Sequence, residues 1–227
     1  MVQPADHQVE VVRVVPPDDA AEHLKDFGLT VEMLHRSIEA GDNKRNQVSQ
    51  EYYPLTYRGV VMWAETLAEL RRQLLKISDG YEIGRTANYE TIYCVKRNVA
   101  LAVVAGDSMV GTKGSRDPRL TRKRGIKTTE RVTRNARYIY QQGELFPLPK
   151  NKEIPEDETC LTWFLMVRPT SKEVRLELSW PLSIDDDGLV GGWQKRILLP
   201  PVAISGATAP VNPDDYLDDG NDNIVSR

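Results

Sequence analysis

The sequence predicts an α+β fold. It has a mainly antiparallel sheet built from two hairpins plus a C-terminal strand, helices packed on one face, and a long basic loop. Three observations carry this expectation. Apolar residues recur at helical spacing across 60–77. Two pairs of β-branched and aromatic runs are each joined by a short polar turn. Between them, residues 106–127 are too rich in glycine, proline and charge to continue either kind of element.

In chain order, QVEVVRVV at 8–15 reads as a strand, and Pro16-Pro17 ends it. Pro17, Asp18 and Asp19 suit a helix start, and Gly28 suits its end. Thr30 caps a second helix, TVEMLHRSIEA, which Gly41 is expected to close; 42–57 is polar and loop-like. In the third helix Val60, Trp63, Ala64, Leu67, Leu70, Leu74, Leu75 and Ile77 share one face, with Arg71 intruding on it. A charge placed there must be paired or must snorkel to the edge.

YETIYCV (89–95) and VALAVVA (99–105) form the first hairpin around Lys96-Arg97-Asn98, and the second strand is apolar throughout, as a centrally covered strand should be. After the 106–127 loop, Thr128 or Thr129 opens a helix to about Gln142, followed by a Pro-containing linker. CLTWFLMV (160–167) and EVRLELSW (173–180) form the second hairpin, the latter alternating apolar Val174, Leu176, Leu178 and Trp180 with polar Glu173, Arg175, Glu177 and Ser179. WQKRILL (193–199) adds a last strand. The expected organisation is a flexible N-terminus (1–7), a single α+β domain (8–204) and a disordered acidic tail (205–227), whose last fourteen residues carry five aspartates.

Composition narrows function by exclusion. Of 227 residues 40% are apolar, ordinary for a chain with a real core, yet no apolar run approaches the ~20 residues of a membrane span. The N-terminus lacks the basic start and apolar run of a signal peptide, so a cytoplasmic location is expected. Cys94 and Cys160 are isolated in strand-like runs and suit neither a disulfide framework nor zinc. His23 and His35 fall on different helices, and Asp185-Asp186-Asp187-Gly188 lacks the spacing of a calcium loop. No cofactor or metal is expected.

One motif invites a catalytic reading. GDSMVG (106–111) follows an apolar strand and resembles the opening of GDSL-type (SGNH) hydrolases, which implies Ser108 as an ester-attacking nucleophile beside Asp107. A serine needs a base to take its proton, and all three histidines (His7, His23, His35) lie upstream with no DxxH element following. The loop also lacks the GxSxG and GxxxxGK[ST] spacings.

Charge is distributed unevenly. Between Thr112 and Arg137 stand ten basic residues: Lys113, Arg116, Arg119, Arg122, Lys123, Arg124, Lys127, Arg131, Arg134 and Arg137. Only Asp117 and Glu130 oppose them, so the window is +8 in a chain whose net charge is −3, leaving −11 elsewhere. On the helix from 128, Arg131, Arg134 and Arg137 share one arc with Tyr138 beside them, while Val132, Ala136, Ile139 and Tyr140 are expected to face the core. Guanidinium forks match phosphate, and an exposed tyrosine can stack on a base.

The stretches WAETLAELRRQLL, AVVAGDSMVG, RGIKTTERVTRNA and ELFPLP give the middle third a resemblance to an uncharacterised family of small bacterial proteins, which implies no activity. The expectation from the residues is therefore a bacterial accessory protein, not an enzyme by any recognisable motif, that contacts DNA or RNA through 112–138. The alternatives are a phosphoester or ester hydrolase around Asp107 and Ser108, and a protein-binding or inhibitor module using the acidic tail.

Overall fold

The computed structural model describes residues 13–77, 79–141, 155–186 and 188–204. The expected N-terminus, most of the linker after 142 and the acidic tail lie outside them, as does the part of the first strand before Arg13. The elements are β1 (Arg13–Val15), α1 (Ala20–Leu24), α2 (Val31–Asn46), α3 (Tyr57–Leu74), β2 (Glu82–Gly84), β3 (Thr91–Cys94), β4 (Val99–Ala105), α4 (Ile126–Gln141), α5 (Glu156–Thr159), β5 (Leu161–Pro169), β6 (Glu173–Ile184), β7 (Val190–Leu198) and β8 (Val202–Ala203).

The fold is α+β, and its eight strands make one sheet in the order β1-β7-β6-β5-β4-β3-β2, with β8 pairing β6. Both expected hairpins are present, β3–β4 and β5–β6. The sheet is nevertheless mixed, which corrects the mainly antiparallel expectation. The hairpins meet through a parallel β4–β5 pair running from Val99↔Leu161 to Ala105↔Val167, and β1 pairs β7 in parallel. A parallel neighbour needs a crossover connection, and loop 106–125 followed by α4 provides it.

The crossover also overturns the one-sided arrangement of helices. On β4 and β5, Leu101, Val103, Ala105, Trp163, Leu165 and Val167 join the core beneath α1, α2 and α3. Their alternate neighbours Ala102, Val104, Phe164 and Met166 join a second core with Val110, Leu120 and Val132 from the crossover. Both faces are covered, so all seven residues of β4 are buried. Period-two alternation puts successive side chains on opposite faces, and a strand apolar at every position needs a layer on each.

The helical layer departs from expectation at Gly41. The residue does not end α2, which runs on to Asn46 and is capped at Thr30 by the Met33 N–H. A Cβ at 41 would lie 2.6 Å from the Met62 carbonyl oxygen and against Thr66 Oγ1, so the glycine marks where α2 and α3 touch. The extra turn carries Asp42 and Arg45, which pair with each other in the interior. Arg58 of α3 donates to the Arg45 carbonyl and to Asn46 Oδ1. Arg71 resolves its place on an apolar arc by reaching the edge of the sheet: it donates to the Thr91 and Gly84 carbonyls and pairs with Glu90 at 2.6 Å.

Candidate nucleic-acid interface

The basic window lies in the layer over the second face of the sheet. Its first half is packed in place. Gly106 bridges Leu120, Val110 and Leu120 are buried, and the Trp193 indole donates to the Pro118 carbonyl at 2.8 Å. Gly111, at φ 69°, is pressed against β6: a Cβ there would sit 3.1 Å from Arg175 Cβ and 3.3 Å from the Leu176 backbone nitrogen.

Under this loop lies a charged cluster. The Arg196 guanidinium, 2% exposed, donates to both carboxylate oxygens of Glu177 at 3.0 and 2.7 Å, to Asp117 at 3.0 Å and to the Thr112 carbonyl at 3.1 Å. Glu177, with no exposure, also accepts from the Gly111 N–H at 2.8 Å and the Ser179 hydroxyl at 2.6 Å. Burial draws the Arg196 guanidinium down and its carboxylate partners draw it up more strongly, leaving it above its ordinary range. The polar face of β6, expected to meet solvent, is therefore interior at Glu177 and Ser179. Sequence reasoning missed the cluster, and its only signal was charge in mid-strand on both β6 and β7.

The ten cations of the window are dispersed in their surroundings. Lys113 and Lys123 are exposed and form no ion pair among the described residues. Arg116 pairs with Asp107 at 2.6 Å and Arg119 lies 3.7 Å from Asp185, both with side chains more than half exposed. Arg122 and Arg124 are half-buried and hold contacts of their own. Lys127 bridges Glu130 at 2.9 Å and Glu158 at 3.2 Å, and the Glu130 hydrogen bond raises its pKa.

On α4 the expected solvent arc is corrected at its first member. Arg131 is 2% exposed, donates to the Asp157 carbonyl at 2.7 Å and carboxylate at 2.9 Å, and lies 4.6 Å over the Tyr89 ring. The buried stripe of the helix is Thr128, Arg131, Val132 and Asn135, largely polar; of the arc expected to face the core, Val132 is buried and Ala136 and Ile139 are half-buried. Asn135 explains the choice: its amide donates to the Thr162 and Pro181 carbonyls and accepts from the Thr162 N–H. Arg134 is half-buried, with no ion pair among the described residues, and Arg137 is exposed. Tyr138 is 38% exposed, its ring 6.4 Å from Trp180.

The serine motif gains no chemistry from the fold. Asp107 accepts from the Met109 N–H at 2.9 Å and holds Arg116, which makes it the turn-forming residue after β4. Ser108 is exposed, and no base among the described residues hydrogen-bonds to its hydroxyl. His23 sits against Lys195 and His35 against the Pro200 carbonyl. Among the described residues no group of three acidic, histidine or cysteine side chains is placed to hold a metal ion, and no helix is long and apolar enough to cross a membrane. In comparisons with known proteins, no family model, no curated protein and no solved structure matches the chain.

Proposed function

We propose that this chain is a non-catalytic accessory protein that contacts nucleic acid through the outer side of the layer formed by the 106–125 loop and α4. The observation that carries the reading is the exposure of Lys113, Lys123 and Arg137 without a carboxylate partner among the described residues. Arg116 and Arg119 add to them, because ion pairs that exposed contribute only about 0–1 kcal/mol and can be exchanged for phosphates. Arg131 is no part of the contact. Binding to DNA or RNA should fall steeply with salt as phosphates release counterions. Lys113→Ala with Lys123→Ala should lower the slope of log K against log salt by about 1.5–2 without changing the melting point. Binding that is absent, or indifferent to salt, refutes the reading.

A second reading, a protein-binding module, is favoured by the α2–α3 connection. Tyr52 is 78% and Leu55 66% exposed, and Tyr53 stacks on Tyr57 with centroids 4.7 Å apart. Aromatic side chains fixed on a surface are typical anchors of protein interfaces. Here Tyr52→Ser with Leu55→Ser should abolish a protein partner held by the wild-type chain while leaving nucleic-acid binding unchanged. Equal retention of the partner by both chains refutes it.

A further inference from the structure

Arg134 and Tyr138 stand one turn apart on α4, so their side chains are neighbours on one helix face. Arg134 is a cation without a counter-ion among the described residues. It is half-buried, and its Nη1 is sealed from solvent with no hydrogen-bond partner among the described residues. Burial draws its guanidinium below the ordinary arginine range, opposed by the more distant Glu158. Turning this guanidinium onto an anion therefore forfeits no hydrogen bond at Nη1 among the described residues.

Tyr138 supplies the complementary feature. Its ring is partly open to solvent and is backed by Trp180, whose indole is itself stacked on Trp163 with centroids 5.5 Å apart. The Trp180 Nε1 is a second buried donor with no acceptor among the described residues. Both side chains neighbouring this half-exposed ring thus carry a donor without an acceptor among the described residues, and the adjacent Arg137 is exposed.

We infer that this end of α4 holds one nucleotide of a single strand, its phosphate on Arg134 and its base stacked on Tyr138. The inference rests on the nucleic-acid reading above and narrows it to single-stranded substrate. A duplex keeps its base faces stacked inside and offers the tyrosine nothing, whereas every unpaired base has a π-face to offer. Lys123 precedes α4, and from Ile126 to Tyr138 the helix alone rises about 18 Å. A strand that reaches both must be several nucleotides long.

The test compares a labelled oligothymidylate of about 12 nucleotides, an oligouridylate of equal length and a duplex of matching charge. They are titrated onto wild type, Tyr138→Ala, Tyr138→Phe, Arg134→Gln and the Lys113→Ala/Lys123→Ala pair, with thermal melts to confirm folding. Tyr138→Ala should weaken single-strand binding by about 5- to 100-fold, with duplex binding unaltered. Tyr138→Phe should restore it, because the ring and not the hydroxyl stacks. Arg134→Gln should weaken single-strand binding and flatten its salt slope. Single-strand binding that depends on Lys113 and Lys123 but is indifferent to Tyr138→Ala overturns this inference and spares the wider reading. Failure of the wild-type chain to bind any of the three probes overturns both.

Discussion

Replacing Arg196 with methionine tests whether the buried cluster fastens the basic loop to the sheet. Methionine keeps most of the volume and removes the charge. In the folded chain it deletes four donated hydrogen bonds, two to Glu177 and one each to Asp117 and Thr112. Glu177 is then left wholly buried without its cation, and among the described residues the Gly111 N–H and the Ser179 hydroxyl are its remaining donors. Removing one partner of a buried pair costs about 3–5 kcal/mol, chiefly because the surviving charge is left uncompensated. That is a large share of the ~5–15 kcal/mol that holds a typical protein folded. Adding Glu177→Gln removes the stranded charge, so the double variant should recover a part of the loss that additive costs would not allow. Urea unfolding of the four members of the cycle measures this coupling. Amide exchange at Gly111 reports the loop directly and should accelerate in Arg196→Met. A loss below about 1 kcal/mol with unchanged Gly111 exchange would refute the reasoning, because a cation bonded to four acceptors in the interior cannot be dispensable.

Two further outcomes follow from the same geometry. Gly41→Ala should lower the melting temperature although alanine is favoured over glycine by about 1 kcal/mol inside an isolated helix. The new methyl would collide with the Met62 carbonyl and Thr66 where α2 crosses α3, and a rise in melting temperature contradicts that crossing. Burial first, and then the hydrogen bond it donates to Glu82 at 3.0 Å, push the Tyr93 phenol up to about 12. The unfolded phenol ionises near ~10. The stabilisation is therefore complete below pH ~10 and is lost as pH rises toward about 12. The stability of Tyr93→Phe should fall less than that of wild type over this interval, and equal slopes would show that Tyr93 titrates normally.

Much of the fold was legible from local rules. The 3.6-residue stripe of α3, the paired β runs around Asn98 and around 168–172, and the uniformly apolar β4 each announce their element, because period and turn chemistry are properties of adjacent residues. The site was legible only as composition, since ten cations in a window state how much charge is present and nothing about where it points. Arg131 shows the limit. By periodicity it shares an arc with the exposed Arg137 and Tyr138, yet it enters the core, because Asp157 and the Tyr89 ring supply partners from segments 26 or more residues away.

The sequence by itself therefore determined the helices, the hairpins and the concentration of positive charge, all of which depend on neighbours along the chain. Only the tertiary structure decided the parallel β4–β5 junction, the layer on each face of the sheet and the sorting of arginines into interior and surface. Those choices turn on burial: a charge can leave water only where the fold brings it a carboxylate or carbonyl. Arg196 and Arg131 meet such groups on folding, whereas Lys113, Lys123 and Arg137 remain at the surface.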